Sequence, residues 1–103
     1  MTTLEQEMLL KRDSKAIPHL TQYAPVWIID QEFILDDEAV QFNAVFQHPN
    51  YGWVSRRYRF DSFNNVLYHK GQNNISEDMA LEVQEQAPYI VASIADIPNA
   101  YGG

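Results

Sequence analysis

Apolar and polar residues alternate most regularly between Val40 and Gln47. Val40, Phe42, Ala44 and Phe46 fall on one side of an extended chain and Gln41, Asn43 and Gln47 on the other, and only Val45 breaks the polar side. A two-residue period of this kind belongs to a strand with one buried face. The segment that follows, His48-Pro49-Asn50-Tyr51-Gly52, has the proline, asparagine and glycine of a chain reversal. Residues 53–60 then read as the returning strand, with Val54, Tyr58 and Phe60 sharing a face with Arg56, and Trp53, Ser55, Arg57 and Arg59 on the opposite face. A second reversal over Asp61-Ser62-Phe63-Asn64-Asn65 leads into a strand at 66–70, because asparagine tolerates left-handed backbone angles.

Upstream, Val26-Trp27-Ile28-Ile29 and Phe33-Ile34-Leu35 flank the polar Asp30-Gln31-Glu32. The β-branched and aromatic content predicts strand over 26–35, either as one long element or as two short ones about a polar turn. Strands joined by such short loops form an antiparallel meander of three to four strands.

Helical spacing appears at both ends of the chain. Leu4, Met8, Leu9 and Leu10 predict a helix over 3–15, with Glu5 and Glu7 near its start and Lys11, Arg12 and Lys15 near its end, the order that the helix dipole favours. Pro18 is expected to limit its extension. The apolar stripe is narrow, so this helix either packs on the body or swings free as a partner-binding arm. Ser76 can cap a second helix, in which Met79, Val83, Ala87, Ile90, Val91 and Ile94 recur over 77–96. Pro88 interrupts that run and either kinks the helix or begins a second one, with a break near Ala87 favoured. The fold expected over 1–103 is therefore a single α+β domain: an N-terminal helix, an antiparallel meander, and a C-terminal helix covering the apolar sheet face.

A chain of 103 residues with 46% hydrophobic content has material for one core and is far from the composition of a disordered chain. It contains no cysteine, which removes disulfides, thiolate metal sites and a cysteine nucleophile, and agrees with a cytoplasmic location. The polar, acidic start Met1-Thr2-Thr3-Leu4-Glu5 does not read as a secretory signal, and no apolar run approaches the roughly 20 residues that span a bilayer, so no membrane insertion is expected. Fourteen acidic against seven basic residues give a net charge of −7, which repels phosphate backbones at long range and argues against generic nucleic-acid binding.

Motifs for chemistry are few. His19, His48 and His69 stand at no metal-ligand spacing, and Asp36-Asp37-Glu38 lacks the glycine and length of a calcium loop, so it reads as a solvated turn. Asp30 and Glu32 offer two carboxylates, the residue type that shares acid and base work in glycosidases, but they also suit an exposed turn. A G-x-S-x-G elbow, a phosphate-cradling glycine loop and a dinucleotide fingerprint are all missing. No cofactor or metal is expected, and catalysis is disfavoured.

Arg56-Arg57-Tyr58-Arg59 is the one basic cluster, with Trp53, Phe60 and Tyr68 nearby. Arginine beside aromatic rings serves interface hot spots and stacking platforms. In an acidic chain it can equally pair internally with Asp30, Glu32 or the 36–38 turn. The loop bearing His48, Asn50, Tyr51 and Trp53 either projects rigid contact area or caps the end of the core. The leading expectation is a non-enzymatic accessory subunit, adaptor or inhibitor that binds another protein through Tyr51, Trp53, Arg57 and Arg59. A nucleic-acid-mimicking inhibitor is a variant of that class, ranked lower because the acids are scattered. The competing expectation is a small-molecule-binding domain or small enzyme, with a pocket between sheet and C-terminal helix lined by His69, Tyr68 and Arg56.

Overall fold

The computed structural model describes residues 2–87 and 89–91. Helix α1 (Thr3–Leu20) leads through a 3-10 turn (Thr21–Tyr23) into strand β1 (Val26–Ile34). Strands β2 (Ala39–His48), β3 (Gly52–Asp61) and β4 (Val66–Asn74) follow, then helix α2 (Glu77–Gln86) and a short strand β5 (Tyr89–Val91). All pairings are antiparallel, in the order β4-β3-β2-β1-β5. The α+β architecture with helices at both ends of an antiparallel meander is the one the periodicity predicts.

Helix α1 runs to Leu20, past the expected end at 15 and through Pro18. Proline in a last turn removes one donor and crowds one carbonyl. Against that, the added turn buries Ile17 and Leu20, which continue the row begun by Met8, Arg12 and Ala16. The Thr2 hydroxyl caps the other end by accepting from the Glu5 backbone N–H at 3.1 Å.

This extended row, rather than the C-terminal helix, covers the apolar sheet face. Ala16, Ile17 and Leu20 pack with Val26, Ile28, Phe42, Ala44, Phe46, Val54 and Tyr58 in one buried cluster. Helix α2 lies against β1 and β2, with Val83 and Ile29 lining a shared cavity, which places it on the other face of the sheet. It has ten residues, and Ala80 is the buried one among them while Met79 and Leu81 stay exposed. Ser76 caps it by accepting from the Met79 N–H at 3.1 Å, as expected.

The helix ends at Gln86, and Ala87 is extended at φ −64°, ψ 129°, in the conformation that a following proline imposes. The break near Ala87 is thus present, but the next segment is strand: residues 89–91 pair with Val26–Ile28 of β1. The remainder of the expected helix, 92–96, lies outside the described residues.

Strand β1 is one element, and the polar Asp30-Gln31-Glu32 is a bulge within it. Ile29 pairs with Asn43 and Glu32 with Gln41, so Asp30 and Gln31 together oppose the single residue Phe42. Asp30 takes the left-handed conformation, φ 55°, which aspartate accepts more readily than most residues. The extra residue reverses the strand's alternation: Val26 and Ile28 face α1 before it, and Phe33, paired with Val40, does so after it.

The packing of α1 predicts a sharp contrast within that helix. Ile17→Ala, at a site 1% exposed, should lower stability by about 2–5 kcal/mol. Leu10→Ala, at a site 68% exposed, should stay within about 0.5 kcal/mol of the parent. Urea denaturation of the two variants measures this, and equal effects would refute the placement of α1.

Candidate functional site

Strand β3 presents two chemically different faces, and the elements around it decide how each is used. On the face toward α1 stand Val54, Arg56, Tyr58 and Phe60, all buried. Arg56 finds only neutral partners there. Its Nε donates to Gln72 Oε1 at 2.8 Å and its Nη1 to the Tyr58 hydroxyl at 3.0 Å. Its guanidinium lies 5.0 Å from the ring centre of Tyr23 and 5.1 Å from that of Phe46, within cation–π range. Burial works against the Arg56 charge, but hydrogen bonds to Tyr58 and Tyr23 outweigh it and hold the group above its ordinary value.

A bulge in β4 makes that arrangement possible. Arg57 pairs with Gly71 and Tyr58 with His69, leaving Lys70 as the extra residue. The strand's alternation reverses there, so His69 and Gln72 both come to the α1 face. Gly71 supplies the unusual backbone angle, φ 154°.

His19 completes the cluster from the last turn of α1. Its Nε2 is 2.9 Å from the Tyr58 hydroxyl. The Gln22 amide nitrogen donates to the His19 carbonyl at 2.8 Å and lies 3.2 Å from His19 Nδ1. Two hydrogens on one amide nitrogen satisfy both contacts, which makes Nδ1 the acceptor and Nε2–H the donor to Tyr58. Burial pushes His19 below the usual histidine value, helped by the charge of Arg56 and by His69. Burial likewise pushes the Tyr58 phenol upward, partly offset by Arg56.

Aromatic contacts run outward from this centre. Tyr23 stacks on Phe46 at 4.4 Å and on His48 at 5.8 Å, and His48 meets Tyr51 at 4.7 Å. Tyr51 is 61% exposed. Its turn is held by the Asn74 side chain, which donates to the Tyr51 carbonyl at 2.7 Å, and by Asn50 N–H donating to His48 Nδ1 at 3.0 Å. Gly52 closes the turn at φ 76°, where a side chain would be strained.

The opposite face of β3 carries Trp53, Ser55, Arg57 and Arg59. Trp53 is half-buried and meets Trp27 at 6.0 Å. Arg59 donates to Asp37 at 2.9 Å, an ion pair to the 36–38 turn of the exposed kind worth about 0–1 kcal/mol. Arg57 is exposed and makes no ion pair or side-chain hydrogen bond among the described residues. Tyr68, paired with Arg59, is 44% exposed on the same face.

The four residues expected to bind a partner are therefore not one patch. Trp53, Arg57 and Arg59 share a face, while Tyr51 stacks toward the α1 side at the end of the hairpin. The expected pocket also changes. The cavity beside α2 is lined by Ile29, Asp30, Glu82, Val83 and Gln86, not by His69, Tyr68 and Arg56. Those three are divided between the faces: His69 pairs with Tyr58 and lies on the α1 side with Arg56, while the adjacent Tyr68 pairs with Arg59 on the other side. Asp30 accepts from Asn43 Nδ2 at 2.9 Å on the side away from α1, and Glu32, paired with Gln41, is exposed on that same side. Among the described residues no group of histidine and acidic side chains is arranged to hold a metal, and no helix is long and apolar enough to cross a membrane.

The Arg56–Tyr58–His19 cluster was only partly visible beforehand. Alternation places Arg56 and Tyr58 together, but His19 enters through a helix end beyond Pro18, and Gln72 through a bulge with no local signal except Gly71. Comparison with known proteins adds no assignment: no family model, no curated protein and no solved structure matches the chain.

Depression of the His19 value fixes the sign of a pH effect. Its ordinary value is 6.5, and the folded protein takes up this proton only at lower pH. Between the two values the unfolded chain binds more protons, so this contribution to stability is present above 6.5 and is lost as pH falls toward the folded value. Thermal midpoints measured from about pH 8 to about pH 5 should fall, and His19→Gln should make that slope shallower. An unchanged slope in the variant would exclude His19 as its source.

Proposed function

We propose that this chain is a non-enzymatic binding protein, an accessory subunit, adaptor or inhibitor, that docks on another protein through the face of the β3–β4 hairpin that points away from α1. The observation that carries the reading is Arg57. It stands exposed on that face with no ion pair among the described residues, beside the rings of Trp53 and Tyr68 and the paired Arg59. Helix α1 occupies the other face and α2 lies against β1 and β2, so neither helix takes up this surface. Arginine and large aromatic side chains are the residue types that dominate interface energetics.

The chemistry specifies the partner in outline: a surface that offers a carboxylate to Arg57 and apolar contact to Trp53 and Tyr68. Strand addition at the β4 edge fits less well. Lys70 and the bulge at Gly71 interrupt that edge, in the manner by which sheets discourage pairing. The net charge of −7 keeps phosphate backbones away at long range.

The test is capture of a stoichiometric protein partner from native extract, followed by affinity measurement with variants. Arg57→Ala and Trp53→Ala should each weaken binding by about 2 kcal/mol or more, while Tyr51→Ala, set off to the α1 side, should cost less than about 1 kcal/mol. Unchanged affinity for Arg57→Ala and Trp53→Ala, with folding intact by circular dichroism, would remove this surface from consideration.

A further inference from the structure

The cluster beneath α1 has a chemistry that protein docking on the opposite face leaves unused. Arg56 and His19 both bond to the Tyr58 hydroxyl, and the ring of His69 lies 5.9 Å from the Tyr58 ring, centre to centre. In a chain with fourteen acidic residues, no carboxylate pairs with Arg56 among the described residues. Arg12 pairs with Asp13 and Arg59 with Asp37 among the described residues.

The Tyr58 oxygen already accepts from Arg56 Nη1 and, by the tautomer that Gln22 imposes, from His19 Nε2–H. A phenol oxygen with both acceptor positions filled has its own proton left to donate. No hydrogen bond of the described residues takes it, although Tyr58 is 1% exposed. The phenol remains protonated near neutrality, since burial raises its pKa. Toward β4 the cluster meets solvent, with His69 exposed and Gln72 half-buried.

We propose that this cluster, between the C-terminal turn of α1 and the middle of β4, binds a small oxyanion, a carboxylate or a phosphate group. The Tyr58 hydroxyl donates to it, His69 contacts it from the solvent side, and Arg56 provides the charge beneath. An anion here meets the Tyr58 hydroxyl, His69 and the charge of Arg56, and no carboxylate pairs with Arg56 among the described residues. The acidity of the chain opposes anions only at long range and does not alter the local arrangement.

The experiment is an NMR titration at fixed pH and ionic strength, with inorganic phosphate and acetate as separate probes and chloride as the control. The ring signals of His19, His69 and Tyr58 are followed. The expected result is saturable shifts confined to these rings, weakened roughly tenfold or more by His69→Ala and by Tyr58→Phe, and unchanged in Lys11→Ala on the exposed side of α1. Saturation by phosphate alone assigns a phosphate-bearing ligand, and saturation by acetate as well extends the site to carboxylates. His69 is exposed, so its variant keeps the fold even if Tyr58→Phe does not. The proposal is overturned if neither probe gives saturable shifts up to roughly 50 mM, far above a dissociation constant of ~1 mM, or if the shifts persist in His69→Ala.

Discussion

A guanidinium removed from bulk water must be solvated by the protein, and in this fold that requirement falls on Arg56. The cost of burying a charge is large unless every donor is met and the surroundings are polarisable. Here the 3-10 turn after α1 brings Tyr23, β2 brings Phe46, β3 itself brings Tyr58, and β4 brings Gln72. Four parts of the chain thus converge on one side chain. Lysine would not serve in its place, since a compact ammonium offers neither the planar fork nor the flat face that stacks on rings.

Two bulges prepare that convergence and its counterpart at Arg12, earlier along α1. The β4 bulge brings Gln72 and His69 to the same side. The β1 bulge does the equivalent for Gln31, whose Oε1 accepts from Arg12 Nη1 at 3.0 Å. Arg12 also donates to Asp13 at 2.8 Å and lies 4.9 Å from the Phe42 ring. Phe42 stacks with Tyr58 at 5.3 Å, so the two buried arginines are linked through aromatic side chains along the interface of helix and sheet. Each bulge spends one residue to reverse the alternation, and each reversal places a glutamine amide opposite a buried arginine.

The consequence is a division of labour between the faces of β3. Toward α1 the polar groups are buried, mutually hydrogen-bonded and arranged about Tyr58. On the other face they are exposed, with one arginine paired to Asp37 and its neighbour left for solvent or a partner. The proposed docking surface and the proposed oxyanion site therefore draw on different residues of one strand.

Local periodicity was sufficient for much of this. The alternation of Val40 to Phe46 and of Trp53 to Phe60 assigned both central strands and separated Arg56 and Tyr58 from Arg57 and Arg59, because side-chain direction in a strand depends only on parity. Ser76 and Pro88 likewise marked both ends of α2. What local signals could not decide was whatever depended on burial energy or on a change of register. Continuation of α1 through Pro18 rests on the burial of Ile17 and Leu20 against a sheet assembled from distant residues. The covering of the apolar face by α1, the strand at 89–91 and the two reversals of alternation follow from the same cause. His19, Gln72 and Tyr23 come to Arg56 only in the folded chain, since none of them lies within ten residues of it in sequence. Parity is a property of neighbouring residues, whereas the solvation of a buried charge is a property of the assembled core.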